Sequence, residues 1–348
     1  MKDDPRACRL ALGLGPCADA ASLEQTDPTP QSLCQLWPRR LAHAFWQQAS
    51  DPDDLLARSR LLLRSLKRQG ARLVLATDAA YPRRLRRLQD APAVLFLRGA
   101  IPDGPTVAMV GSRAAFREGC RRAREAAADL AQAGVAVVSG GAIGVDSAAH
   151  EGALDGGGQT VVFLGSGLDR PYPERNLELF SRVAGQGAVV SSFAPGTPPL
   201  RGCFPRRNRL IAALADVVVV VEAGRRSGAL QTARWAERLG VPVLAGDTSP
   251  GARWLLGQGA GLFGGADDAR RALRGEPPRH ARPAPEGEDQ RTAVDCLGER
   301  PLTVDQLARR LGWSAPRAAL VLVGLQVAGL VSLEPGGRYA RVGLGQRP

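Results

Sequence analysis

The chain has 348 residues, an apolar fraction of 44% and a formal net charge of +12. That length accommodates two or three domains, and no run approaches the roughly 20 apolar residues needed to cross a bilayer. The opening Met1-Lys2-Asp3-Asp4-Pro5 lacks the basic-then-apolar pattern of a secretory signal, so a cytoplasmic protein with no membrane partner is expected.

Residues 1–70 read as a small helical domain. Leu55 to Leu66 alternates apolar and basic positions near a 3.6-residue period, and Gln69-Gly70 stops it. Near the start, Leu12-Gly13-Leu14-Gly15-Pro16 has the outline of a hairpin of the SAM or helix-hairpin-helix type. Residues 71–276 change character: β-branched runs alternate with Ala/Arg/Leu-rich helical stretches. The strand candidates are Val107–Val110, Val135–Val138, Thr160–Leu164, Ala188–Ser191, Val217–Val221 and Val241–Ala245. Continuous apolar strands separated by helices predict a mostly parallel sheet covered on both faces. Right-handed crossovers then make it an extended, doubly wound, Rossmann-like α/β domain with its ligand cleft at the carboxyl ends of the strands.

A Pro-rich linker is expected over 277–288. Beyond it, residues 289–348 read as a winged-helix module. A helix begins at Thr292, a second element runs Leu302 to Leu311, and Gly312-Trp313-Ser314 makes a turn. Ala315 to Ala328 forms the next helix, and Leu330 to Arg341 folds as a wing around Pro335-Gly336-Gly337. That last helix carries almost no basic residues, which favours a packing or protein-contact role over reading a DNA groove.

Four turns at predicted strand ends carry the candidate chemistry. Val110-Gly111-Ser112-Arg113 offers a close backbone approach, N–H groups at a helix start and an arginine fork for a phosphate; a plain tight turn uses the same residues. Ser139-Gly140-Gly141-Ala142-Ile143-Gly144 has more glycines than a turn needs, which points to close backbone approach. Asp146 and His150 follow, four apart on one helical face. An acid–base pair and a structural hydrogen bond both fit them, and no third catalytic group is evident.

The third turn, Gly165 to Pro173, leads through Tyr172 to Arg175-Asn176. The fourth begins with Phe204-Pro205-Arg206-Arg207-Asn208-Arg209, a basic, aromatic loop ahead of the helical run Leu210–Ala215. It continues to Glu222 and to Ser227-Gly228 at a helix start. At a strand end, Glu222 fits ribose binding or a base; more often such an acid holds neighbouring loops, here through Arg209 or Arg225. A basic, aromatic surface suits single-stranded nucleic acid, a flexible polyanion with bases to stack.

The charge itself permits nucleic acid without demonstrating it, because arginine is spread along the whole chain and only Lys2 and Lys67 are lysines. The cysteines Cys8, Cys17, Cys34, Cys120, Cys203 and Cys296 form no CxxC pair, and His43, His150 and His280 are far apart. Reduced thiols and no metal or cofactor are expected. The turns supply no nucleophile–base pair and no Walker lysine, so binding is expected rather than catalysis.

These residues resemble the DprA/Smf family of DNA processing proteins. The resemblance covers Val107 to Arg113, Ser139 to His150, Leu164 to Asp169 with Tyr172-Pro173 and Asn176, and Pro195 to Pro199. It continues through Phe204 to Ile211, Val221-Glu222-Ala223 and Ser227 to Ala233, with a lead-in from Tyr81-Pro82 to Gly99. It implies a single-stranded DNA-binding homodimer that protects incoming DNA and loads RecA recombinase during natural transformation and recombination, without catalytic activity.

By position, Gly111, Ser112 and Arg113 would hold phosphates, and Phe204, Arg207, Asn208 and Arg209 would line the same groove. Gly140, Gly141, Arg175, Asn176, Arg206, Ser227 and Gly228 complete the candidate DNA contacts. The chain departs from the family pattern at Ser192-Phe193-Ala194, Glu174 and Arg253. A phosphoribohydrolase-like nucleotide-processing enzyme on a related fold is the main alternative. Its Gly-rich turn carries a carboxylate three residues past the Thr, where this chain has Trp235. A winged-helix transcription regulator is a second rival, disfavoured by the apolar second helix.

Overall fold

The computed structural model describes residues 5–13, 20–25, 51–279, 285, 287–298, 300–328 and 330–341. Its centre is a nine-stranded sheet of β1 (Arg72–Leu75), β2 (Val94–Gly99), β3 (Thr106–Val110), β4 (Ala136–Ser139), β5 (Thr160–Phe163), β6 (Ala188–Ser191), β7 (Val217–Val220), β8 (Val243–Ala245) and β9 (Gly261–Leu262). The order across the sheet is β1-β2-β6-β5-β4-β3-β7-β8-β9. Every pairing from β6 across to β9 is parallel, while β2 meets both β1 and β6 antiparallel.

The predicted doubly wound sheet is therefore present, with three further strands. β1 and β2 form an antiparallel edge that the search for parallel βαβ units passes over, and β9 is only two residues long.

The helices are α1 (Pro5–Gly13), α2 (Ala20–Gln25), α3 (Pro52–Arg68), α4 (Arg117–Gln132), α5 (Val145–Asp155), α6 (Leu177–Gln186), α7 (Cys203–Leu214), α8 (Gly228–Arg238), α9 (Pro250–Gly257) and α10 (Ala266–Leu273). Side chains alternate across each strand, so the sheet feeds two cores. Val107, Met109, Val137, Val217 and Val219 pack with α4, α5 and α10. Ala108, Val110, Val138, Val218 and Val220 face the other way, in a core that includes residues of α6, α7, α8 and α9. All four valines of β7 are wholly buried, each contributing about 1.5–3 kcal/mol over exposure.

α1 and α3 belong to this second core through Ala7, Leu10, Leu55 and Leu66 beside Leu73 and Leu75. Asp51 caps α3 by accepting a hydrogen bond from the Asp54 N–H (2.8 Å), and Gly70 ends it at φ 64°. Of the proposed N-terminal hairpin, Leu12-Gly13 lies in α1, and Leu14-Gly15-Pro16 falls outside the described residues.

The chain divides into two compact units between residues 280 and 281. The second unit is the expected winged helix. α11 (Glu288–Leu297) starts earlier than the predicted Thr292. α12 (Val304–Leu311) and α13 (Ala315–Val327) follow. β10 (Leu302–Thr303), β11 (Val331–Glu334) and β12 (Arg338–Arg341) pair in the order β10-β12-β11. A capping box, Thr303 with Gln306, opens α12, and Gly312 closes it in the left-handed region. Among the described residues no helix is long and apolar enough to cross a membrane.

Candidate functional site

Strand order sets where a ligand fits. Chain connectivity runs outward from β3 in one direction through β4, β5 and β6, and from β7 in the other through β8 and β9. The switch point lies between β3 and β7, where crossovers leave a crevice at the carboxyl ends. The turn Gly111-Ser112-Arg113 follows β3 there, and Glu222-Ala223-Gly224 follows β7. Between them opens a cavity of about 610 Å³, lined among others by Ser112, Arg113, Phe204, Arg207, Asn208 and Ser227.

The segment Phe204–Arg209 is not a loop. It forms the opening turns of α7, which begins at Cys203. Proline is tolerated in a first helical turn, where its missing N–H has no intrahelical partner. The helix explains which residues of the segment reach the cavity. Phe204, Arg207, Asn208 and Ile211 recur at i, i+3, i+4 and i+7 and line it, together with Pro205 beside Phe204. Arg206 and Arg209 point elsewhere: Arg206 lies 5.9 Å from the Phe193 ring centroid, and Arg209 is ion-paired with Asp90. Exposed Arg175, in the short turn Glu174–Asn176, is also absent from the lining.

Arg207 is the buried centre of the site, 4% exposed. One guanidinium nitrogen donates to the carbonyls of Gly140 and Phe163, and Nε donates to Asn208 Oδ1 at 3.1 Å. Asn208 in turn donates to Gly228 O at 3.3 Å, linking α7 to the start of α8. Burial pulls the Arg207 guanidinium down to about 10, with Asp146 opposing, so it stays cationic at neutral pH. Burial pushes the Asp146 carboxyl up, against the pull of Arg207 and of the backbone N–H groups of Ala142, Gly111 and Gly140. Its Oδ2 accepts from Gly140 N (3.2 Å) and Ala142 N (3.3 Å).

Asp146 and His150 do not form an acid–base pair. The Thr160 hydroxyl donates to Val137 O at 2.8 Å, so the His150 Nδ1–H donates to Thr160 Oγ1 at 2.7 Å. Nε2 is left buried without a partner. Burial, then the nearby Arg207 charge, holds the ring neutral by pushing its pKa down to about 3.

The glycines at these turns are required by packing within the chain, while Gly111 still lines the cavity and Gly140 the smaller slot. A Cβ on Gly111 would meet the Val145 side chain at 2.5 Å, and one on Gly140 would meet the Arg207 guanidinium at 2.6 Å. Gly141 makes room for Phe180. These positions are filled from within. Gly224 has open space instead, a Cβ on Gly228 would meet only Asn208 Nδ2 at an ordinary 3.7 Å, and both line the cavity.

Asn176, also predicted as a contact, is buried and donates to Gly141 O and Ser147 Oγ at 2.9 Å each, bracing the glycine turn. Ser227 caps α8 by accepting from Ala229 N at 3.2 Å. Glu222 does hold neighbouring loops, through backbone rather than arginines: its Oε2 accepts from Phe116 N at 3.2 Å, and its carbonyl accepts from Ser112 N at 2.9 Å.

Phe204 is half-buried and stands between two arginines, 5.2 Å from Arg113 and 6.0 Å from Arg207. Tyr172, 44% exposed, tilts toward it at 6.1 Å between ring centroids. The two rings share a slot of about 50 Å³ with Arg113 and Ile143. Sequence reasoning passed over Arg201, which lines the larger cavity, and did not select Arg226, which lines it too. Arg201 lies in the loop before α7, where no periodicity assigns it a direction. Among the described residues, Arg113, Arg201 and Arg226 have no carboxylate partner. No cluster of three metal-ligating side chains occurs among the described residues.

Comparison with known proteins agrees with this geometry. The DNA recombination-mediator protein A family matches residues 72–274, and the DprA winged helix domain matches residues 277–337. A putative DNA processing protein DprA of Mycobacterium tuberculosis is 38% identical, over 82% of this chain and 81% of its own length. The crystal structure of DprA from Streptococcus pneumoniae superposes with a TM-score of 0.61 at 29% identity, covering 78% of this chain and 98% of that one. A structure describing the single-stranded DNA binding mode of DprA from Helicobacter pylori superposes with a TM-score of 0.53 at 29% identity, over 59% of this chain and 96% of the other.

Proposed function

The chain belongs to the DprA/Smf family, and from that premise we propose that its strand-end cavity binds single-stranded DNA. The observation that carries the reading is that one cavity is lined both by Arg113, Arg201 and Arg226, which have no carboxylate partner among the described residues, and by the Phe204 ring. Cations without carboxylate partners attract a polyanion and release its counterions. An aromatic face takes a base of any sequence. The open backbone at Gly224 and the start of α8 at Gly228 add N–H groups suited to a phosphate. The relative from Helicobacter pylori, whose structure concerns single-stranded DNA binding, supports the same choice of ligand.

The division of labour among the candidate residues follows from placement. Arg113, Arg201 and Arg226 contact phosphates, and Phe204 takes a base. Ser112, Ser227 and Gly228 shape the rim. Arg207, Asn208 and Gly111 form the supporting wall of the cavity, and Asn176, Gly140 and Gly141 brace it. The reading extends, through the family resemblance, to protection of incoming DNA and RecA loading during natural transformation and recombination. The working protein is then a cytoplasmic homodimer that needs neither catalysis nor a cofactor. His150 supports the absence of acid–base chemistry, being buried, neutral and committed to Thr160.

Arg113→Ala tests the assignment. It is expected to weaken binding to single strands of every sequence and to flatten the salt dependence by about 0.7 in the log–log slope, the share of one phosphate contact. Fluorescence anisotropy across a salt series measures both. A slope identical to wild type would remove Arg113 from the DNA contacts. Incubation with nucleoside monophosphates separates the phosphoribohydrolase-like alternative, and release of free base would overturn the binding-only reading.

A further inference from the structure

Phe116 is 78% exposed, three residues beyond Arg113 in the turn that follows β3. It occupies the N-cap of α4, where its side chain makes no capping hydrogen bond. Ser, Thr, Asp or Asn at an N-cap satisfies an orphan N–H, and an apolar residue there forgoes that gain. Neither capping nor burial therefore accounts for the ring. Its position is nevertheless well fixed. The Phe116 N–H donates to Glu222 Oε2, the Ser112 N–H donates to the Glu222 carbonyl, and the Ala114 N–H donates to Ser112 Oγ at 3.2 Å.

The charge around it is equally distinctive. Arg117 beside it and Arg225 and Arg226 on the loop after β7 are exposed. Like Arg113, none of them has a carboxylate partner among the described residues. Farther along the same helix the pattern reverses: Arg121 pairs with Glu118 and Glu125, Arg122 with Asp247, and Arg124 with Glu151 and Asp155. In the first turn of α4 and in the loop after β7, at the carboxyl ends of β3 and β7, Arg117, Arg225 and Arg226 lack that pairing.

We infer that Phe116 is a second base-stacking platform, taking a nucleotide that leaves the cavity over the turn between β3 and α4 while Arg117 and Arg225 track the backbone. The inference rests on the single-strand reading above. An exposed aromatic flanked by unneutralised arginines is the combination that holds a splayed base and its phosphate in sequence-tolerant binding.

The test uses the full-length protein with oligo(dT) of two lengths, roughly 4 nucleotides to fill the cavity and roughly 12 to reach beyond it. Phe116→Ser, which restores a capping hydroxyl, is expected to weaken binding of the longer oligonucleotide by about 5- to 150-fold. The shorter one should bind as before, and the melting temperature should not fall. Phe116→Tyr, which keeps a π-face, should retain the longer strand. Irradiation of a complex with 5-iodouracil in the longer strand should cross-link the tryptic peptide Ala114–Arg117.

Equal weakening of both lengths would place the ring's effect in the cavity and overturn the inference. If Phe116→Ser binds both lengths like wild type while Arg113→Ala binds neither well, the inference fails and the single-strand reading stands. If neither substitution changes affinity, the single-strand reading fails and this inference with it.

Discussion

Arg207→Met is expected to destabilise the first unit by about 3–5 kcal/mol, the range seen when a buried charge loses the opposite charge that compensates it; Arg207 and Asp146 offset each other's desolvation through space, without a direct ion-pair contact. The corresponding drop in melting temperature is roughly 6–20 °C for a unit of this size. Methionine fills much of the space that arginine vacates, so a cavity is not the main cause. The carbonyls of Gly140 and Phe163 lose their donor. Asp146 keeps its backbone N–H partners but loses the guanidinium that opposes its desolvation.

Asp146→Asn tests that explanation. Added to Arg207→Met, it removes the uncompensated carboxylate and should recover part of the loss, giving a favourable coupling in a double-mutant cycle. Thermal or urea unfolding of the four proteins measures it. A loss below about 1 kcal/mol for Arg207→Met, or strict additivity of the two changes, would mean that Arg207 is a replaceable liner of the cavity rather than its support.

The largest effect on binding is expected at Phe204. Its ring lines both cavities, and Arg113 stands on it. Phe204→Ala should cost about 1–3 kcal/mol of binding. It also removes packing, since the ring lies against Gly165, where a Cβ would approach it to 2.7 Å. Phe204→Leu separates the two roles, because it keeps apolar volume without a π-face. Affinity for single strands should fall in both variants, and stability mainly in the alanine one. If Phe204→Leu binds as wild type does, the ring is a packing residue and Tyr172 becomes the better candidate for stacking.

Much of the sheet was readable because parallel strands bury both faces and so appear as uninterrupted Val/Ala runs, as in Val217–Val220. The glycine and serine turns that end those runs marked the strand ends. What remained unreadable has particular causes. The start of α7 was hidden because Pro205 and three arginines look like loop residues, although a first helical turn tolerates both. Without that helix, Arg206, Arg207 and Arg209 look equivalent. With it, Arg207 turns inward while the other two leave the cavity.

The purpose of Gly111 and Gly140 was hidden for a related reason. A glycine pattern reports close approach without naming what approaches, and here Val145 and Arg207 fill the space. Arg201 and Phe116 sit in irregular segments where spacing predicts no direction. β1 and β2 pair antiparallel at one edge of the sheet, outside any crossover pattern.

The central claim is that the cavity at the β3–β7 switch point binds single-stranded DNA through unpaired arginines. The most direct measurement is the affinity of the full-length protein for a single strand and for a duplex of equal length, at about 50 and 200 mM salt. The account predicts tighter binding of the single strand, weakening with salt at a log–log slope of about −2, the value for three neutralised phosphates. Preference for the duplex, or an affinity for the single strand that does not respond to salt, would contradict it.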